Sequence, residues 1–321
     1  MAEAAYVVAG SLEEALALAE THSGHYAFAA GGTDLQLRRQ QELEAAPLII
    51  DLSGIGDLGG VRAGRHRLEI GALTTLAELA TSAAVRRWCP MIAEAAASIG
   101  TPVLRMTATA GGNLLVANRC TWYNQSAAWR GAAGTCLRNS GDTCLVTGGC
   151  GQCYSRAVSD LAPALIALQA RVVLRDAHAT REAALEDLYL ADGLHPQAQP
   201  GKDAILTTLR LAHRPERWCY RKLRRRDSVD YTSLTVAGAR DADGGVRVCI
   251  GGVSMSPILV SAGPGDANLP ALTAEARRKC KTVDNDLLPL SYRRNMIDVF
   301  LEELWRELGE NGHERRTGRV P

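Results

Sequence analysis

Five cysteines crowd one stretch of the chain, at Cys120, Cys136, Cys144, Cys150 and Cys153, and two Gly-Gly pairs stand at Gly31-Gly32 and Gly111-Gly112. Four thiolates suffice for an iron–sulfur cluster or a structural zinc. The spacing leaves that choice open. Cys120-x15-Cys136-x7-Cys144-x8-Cys153 is not a ferredoxin run, and Cys150-x2-Cys153 suits a zinc knuckle equally well. Glycine brings peptide N–H groups close to a phosphate, and a helix start adds a favourable dipole. Taken singly, either pair reads equally as a tight turn. Neither has the G-x-G-x-x-G spacing of a Rossmann dinucleotide site.

The elements that must position these groups follow from periodicity. Residues 11–22 predict a helix, with Ser11 and Glu14 as a capping box and Leu12, Ala15, Leu16 and Ala19 on one face. A strand at 25–30 leads to the first glycine pair and a helix from Leu35, and 48–52 is a second apolar strand. This βαβ-like opening marks a subdomain over residues 1–60. A strand at 67–71, helices at 76–84 and 91–98, the second glycine turn, and a helix running into a strand over 161–174 make a second subdomain, residues 61–192. Residues 193–203 read as a linker. Strands at 205–212, 234–239 and 246–253 and helices at 271–281 and 292–308 then predict an α+β domain with an antiparallel sheet over 204–321, ending in a loose polar tail from Gly309. There is no internal repeat. Residues 115–157 differ from all of this, being rich in Gly and Cys and poor in aliphatics. Such a segment builds no core of its own, so something else must order it; metal ligation would.

The 321 residues allow two or three domains with proper cores. A net charge of +1, with 32 Arg and 4 Lys scattered among Glu and Asp, makes no electrostatic case for nucleic acid or an anionic membrane. The start lacks a signal sequence and no apolar run is long enough to span a bilayer, which predicts a cytoplasmic protein. There, nine cysteines argue for metal or redox chemistry before disulfides. Cys89, Cys219, Cys249 and Cys280 sit singly among apolar or basic neighbours and read as ordinary buried or half-buried residues.

The motifs "AAGGTDL" and "TAGGNL" together resemble the two flavin-binding signatures of the FAD-binding subunits of the xanthine oxidase and carbon monoxide dehydrogenase families. The resemblance implies a two-part FAD-binding domain of the vanillyl-alcohol-oxidase type followed by the α+β domain. It implies FAD contacts at Ala30, Gly31, Gly32, Thr33, Asp34 and Leu35, then at Thr109, Gly111, Gly112 and Asn113. "SDLAPAL" resembles the signature that follows and places Asp160 on the flavin side. "YRKLRRRDSVDY" and "SYRRNM" resemble C-terminal stretches, putting Lys222, Arg226 and Asp230 near the isoalloxazine edge; a solvated basic face is the plainer reading of Lys222 and Arg226.

In such subunits a short loop joins the second glycine turn to the "DLAPAL" helix, whereas here roughly forty residues intervene. The run from "NRCTWYNQSAAWR" through "TCLRNSGDTCL" to "CYS" is similar to the insertion in the flavin subunit of 4-hydroxybenzoyl-CoA reductase. That resemblance implies a [4Fe–4S] cluster on Cys120, Cys136, Cys144 and Cys153, with Cys150 spare, although Cys150 in place of Cys144 or Cys153 stays open. Trp122, Tyr123 and Trp129 would shield the cluster or simply pack. A one-electron relay beside a flavin also favours iron over redox-inert zinc. The implied partners are a [2Fe–2S] small subunit and a molybdopterin large subunit, with a ferredoxin-like donor and a hydroxybenzoyl-CoA-like aromatic substrate. The alternatives are an oxidative hydroxylase or dehydrogenase of another aromatic compound and a zinc-stabilised, non-catalytic scaffold.

Overall fold

The computed structural model describes residues 4–195 and 204–309. The tail beyond Gly309 and most of the expected linker lie outside the described residues.

The chain opens with three short parallel strands, β1 (Ala5–Val8), β2 (Tyr26–Ala29) and β3 (Leu48–Asp51), in the order β1-β3-β2. The helix Leu12–Thr21 connects β1 to β2 and buries Ala15, Leu16 and Ala19. Ser11 caps it by accepting from Glu14 N, but the Glu14 carboxylate accepts from Gly10 N, one residue earlier than a full capping box requires. β3 is buried at all four positions, as the apolar run Leu48–Ile50 demands of a central strand.

A second sheet is antiparallel throughout, with β4 (Val61–Ala63), β5 (Leu68–Gly71), β6 (Arg171–Arg175), β7 (Thr180–Ala184) and β8 (Ile205–Leu211) in the order β4-β5-β8-β6-β7. Residues 205–211, expected to begin the C-terminal domain, thus form the central strand here, because Leu206, Leu209 and Leu211 complete this core. The expected helix 76–84 is two helices, Leu76–Thr81 and Ala83–Trp88. Ser82 breaks it with an extended ψ of 117° and caps the second helix. Helices Pro90–Ala97 and Leu161–Ala167 fill the interior.

The third sheet, β9 (Arg217–Leu223), β10 (Leu234–Arg240), β11 (Val246–Gly251) and β12 (Ile258–Ala262), is the expected antiparallel one, in the order β12-β11-β10-β9. Helices Leu269–Lys279 and Leu290–Gly309 pack on it, and Leu304 closes against Gly238. β9 and β12 escaped sequence reading: "RWCYRKL" mixes charged with apolar residues without a period of two, and both strands are edges.

None of residues 115–157 belongs to any of the hydrophobic cores found among the described residues. The segment is instead pinned at its base by a reciprocal backbone pair, Arg119 N to Arg156 O at 2.9 Å and Arg156 N to Arg119 O at 2.8 Å. Its one α-helix, Ala127–Ala133, docks through buried Arg130, which donates to Gln41 O at 2.8 Å.

Candidate functional site: two adjoining cavities

A cavity of about 510 Å³ lies where the first sheet meets the second, within the size range typical of small-molecule sites. Its wall carries both glycine turns, and all the expected contacts from Ala30 to Leu35 and from Thr109 to Asn113 line it, as do Asp160 and Asp230. Lys222 and Arg226 do not line it.

The first turn leaves β2 with Gly32 at φ +67°, a conformation that side-chain-bearing residues rarely adopt. Gly31 lies against the other turn: a Cβ there would run into the Thr107 carbonyl oxygen. The second turn is a short helix, Ala110–Leu114, capped by Thr109, whose hydroxyl accepts from Gly112 N at 3.1 Å. Its backbone is tied to the end of β5 by Gly111 N donating to Ala72 O at 2.8 Å. Asn113 Oδ1 accepts from Ser159 Oγ at 2.8 Å and from Leu161 N at 3.2 Å, joining this turn to the helix that follows Asp160.

Asp160 is 2% exposed and receives Lys222 Nζ at 2.7 Å and Thr235 Oγ1 at 3.1 Å. Burial pushes the Asp160 carboxyl up and the Lys222 ammonium down, and each partner works against the other's shift. Lys222, which also donates to Ser98 O at 3.0 Å, therefore stands behind Asp160. It reaches the cavity only through that carboxylate. Arg226 is exposed and grips Asp230 through its side chain at 2.6 Å and its backbone N–H at 2.8 Å. Those bonds hold the Asp230 carboxyl below its usual range. Of the two arginine readings, the solvated face is what Arg226 shows. Sequence reasoning missed Tyr231, which also lines the cavity and lies near Asp34, and Arg119 behind both; a lone arginine in an arginine-rich chain carries no signal.

A second, smaller cavity opens inside the inserted segment. Cys120, Cys136, Cys144 and Cys153 all line it, and Cys150 does not. Cys120, Cys144 and Cys153 are buried, Cys136 is half-buried, and Cys150 is exposed. Among the described residues no three His, Cys, Asp or Glu side chains are spaced to share one metal ion, and the cavity the four thiols line is about 20 Å³. Burial pushes the Cys120 thiol up to about 11, against the backbone N–H groups of Trp122 and Tyr123; Cys153 and Cys136 add to the rise. Burial raises Cys153 too, against a hydrogen bond from Ser155 N at 3.4 Å. At Cys144 burial is outweighed by hydrogen bonds from Thr147, Val146 and Tyr154, and the thiol falls. Such N–H donors aimed at sulfur stabilise thiolates and tune metal–thiolate centres. Trp122 and Tyr123 line this cavity, and Arg138 stacks 4.2 Å over the Tyr123 ring. Trp129 lies outside, packed on Trp122 with ring centroids 5.9 Å apart.

Residues 2–211 match the sequence family described as the FAD binding domain in molybdopterin dehydrogenase. The FAD-binding subunit of an aldehyde oxidoreductase from Escherichia coli (strain K12) is 32% identical over 263 residues, covering 75% of this chain and 78% of that one. The FAD-subunit of nicotinate dehydrogenase from Eubacterium barkeri is 25% identical over 190 residues, covering 59% and 51%. Among solved structures, a chain of the reconstituted CO dehydrogenase from Oligotropha carboxidovorans superposes with a TM-score of 0.75 at 22% identity, over 95% of this chain and 97% of that one. The same fold likeness holds for a chain of a cyanide-inactivated Cu,Mo-CO dehydrogenase, also at a TM-score of 0.75 and 22% identity. Among the described residues no helix is long and apolar enough to cross a membrane. The chain therefore belongs to the FAD-binding subunits of the molybdopterin dehydrogenases.

Proposed function

We propose that this subunit carries a [4Fe–4S] cluster on Cys120, Cys136, Cys144 and Cys153 in addition to FAD, and works between a [2Fe–2S] subunit and a molybdopterin subunit. The observation that carries the reading is the sorting of the five cysteines: four line one cavity in a segment without a hydrophobic core, and the fifth is exposed outside it. In a four-iron cluster each thiolate takes its own iron, which suits thiols spread around a space. Bound in the two cavities, the groups would supply two-electron chemistry at the flavin and one-electron chemistry at the cluster. The chain's own residues orient and insulate them. The first glycine turn would offer peptide N–H groups to the FAD pyrophosphate, and the second, without side chains, would let it approach closely. Trp122 and Tyr123 would cover the cluster, and the Asp160–Lys222 pair fixes the charge at the flavin wall.

We further propose that the assembled complex removes a phenolic hydroxyl reductively from a hydroxybenzoyl-CoA-like aromatic substrate. The cysteine insertion supports this, since that reaction needs the low-potential electrons a thiolate-ligated cluster carries. Assaying the complex with a low-potential donor and, separately, with an acceptor dye decides the direction. Turnover of the aromatic thioester only with the donor supports the reductive reading. Oxidation of an aldehyde or heterocycle with the dye alone would replace it by the oxidative one.

Asp230 offers a smaller test of the flavin edge. A carboxylate on the cavity wall disfavours negative charge on reduced flavin, so Asp230→Asn is expected to raise the flavin midpoint potential. Arg226→Gln, which strips Asp230 of its partner from outside the cavity, is expected to lower it by less. Potentiometry with both potentials unchanged would remove the pair from the site.

A further inference from the structure

Arg119 stands between the two cavities. Its side chain is 6% exposed. Nη2 pairs with Asp34 and donates to the Tyr231 hydroxyl at 2.7 Å, and the guanidinium carbon lies 4.7 Å from the Tyr231 ring centroid. Asp34 and Tyr231 both line the flavin cavity. On the other side Arg119 is joined through the main chain to Cys120, which lines the cysteine cavity. The reciprocal bridge to Arg156 fixes its backbone there. Its remaining terminal nitrogen, Nη1, is buried and has no hydrogen-bond partner among the described residues. A buried donor left unpaired is costly, and more so on a charged group. Beside its pair with Asp34, the guanidinium thus carries a buried donor that no described residue satisfies.

We propose that Arg119 is a positioning residue shared by the two redox groups, whose fixed positive charge raises the reduction potential of both. The inference rests on the reading of the two cavities given above. Flavin and cluster each gain negative charge on reduction, and a nearby buried cation lowers the energy of both reduced forms. Burial keeps the dielectric low and salt away, so the effect survives at physiological ionic strength. Loss of the arginine also leaves Asp34 uncompensated on the flavin wall, which pushes the flavin the same way. Arg119 thus keeps the two potentials moving together while holding Asp34 and the Tyr231 hydroxyl in place through Nη2.

The test is a spectroelectrochemical titration of the assembled complex, with flavin and iron content measured first. In Arg119→Met both potentials are expected to fall, each one-electron equilibrium shifting about tenfold, or about 59 mV. Arg119→Lys should keep both near the wild-type values, and Asp34→Asn should raise the flavin potential. Unchanged potentials in Arg119→Met, or equal shifts in the Met and Lys variants, would overturn the proposal. Should Arg119→Met retain no cofactor, an unshifted flavin in Asp34→Asn overturns it and a raised one supports it. Iron-free wild-type complex counts against the cluster alone, and the flavin potentials still decide the role of Arg119.

Discussion

Cys136→Ser is expected to abolish the broad cluster absorbance and reduce iron from about four per chain to near zero, while FAD stays bound. The separation follows from the architecture. The glycine turns at 31–32 and 111–112 lie outside the inserted segment and are tied to β2, β5 and the helix Leu161–Ala167, whose hydrophobic cores include no residue of it. The segment itself is another matter. With no hydrophobic core, its order depends on ligation, its base bridge and the docking of Arg130. Limited proteolysis should therefore cut between residues 121 and 152 in the Ser variant and spare the wild type. Cys150→Ser should change neither property, since its side chain is exposed and outside the cavity. Iron lost only in the Cys150 variant would show that the ligand set is misassigned.

Gly112→Val and Gly32→Val are each expected to abolish FAD retention, but by different routes. At Gly112 an added Cβ falls 2.9 Å from Thr109 Oγ1. It disrupts the cap that shapes the turn, a loss of about 1 kcal/mol before any contact with ligand. At Gly32 the protein leaves room, the closest atom being Gln36 Cγ at 3.8 Å. There the penalty is the φ of +67°, about 1–2 kcal/mol for an L-residue, together with a branched side chain standing where backbone must approach pyrophosphate. Gly31→Ala is the contrasting case. Its Cβ meets the Thr107 carbonyl, so the apoprotein itself should lose thermal stability. Equal FAD content by absorbance in wild type and in both Val variants would show that the turns serve only the fold.

The glycine turns and the cysteine loop were legible because both break the apolar periodicity around them. So were the strands with unbroken or alternating apolar runs, such as β3 and β10. What stayed hidden depends on long-range contacts. β8 was assigned to the wrong unit because nothing in "ILTTLRL" says which sheet it completes; β5 and β6, far apart in sequence, decide that. β9 carries its charges on an edge strand, where Arg221 pairs with Glu303 and Glu307 of the last helix. Arg226, read either as near the isoalloxazine edge or as part of a solvated basic face, is exposed and pairs with Asp230 of the cavity wall. Lys222 is buried behind Asp160 instead of in the cavity. Spacing named the cysteines without ranking them; only burial separates Cys150 from the rest. Arg119 had no local signature, because its importance comes from joining residues at positions 34 and 231 to a cysteine at 120.

Metal analysis of the anaerobically purified wild-type subunit tests the central claim most directly. One FAD together with about four irons per chain and a matching amount of acid-labile sulfide is the expected result. Zinc in place of iron, with a flavin spectrum alone, would contradict it and leave the inserted segment a structural metal fold.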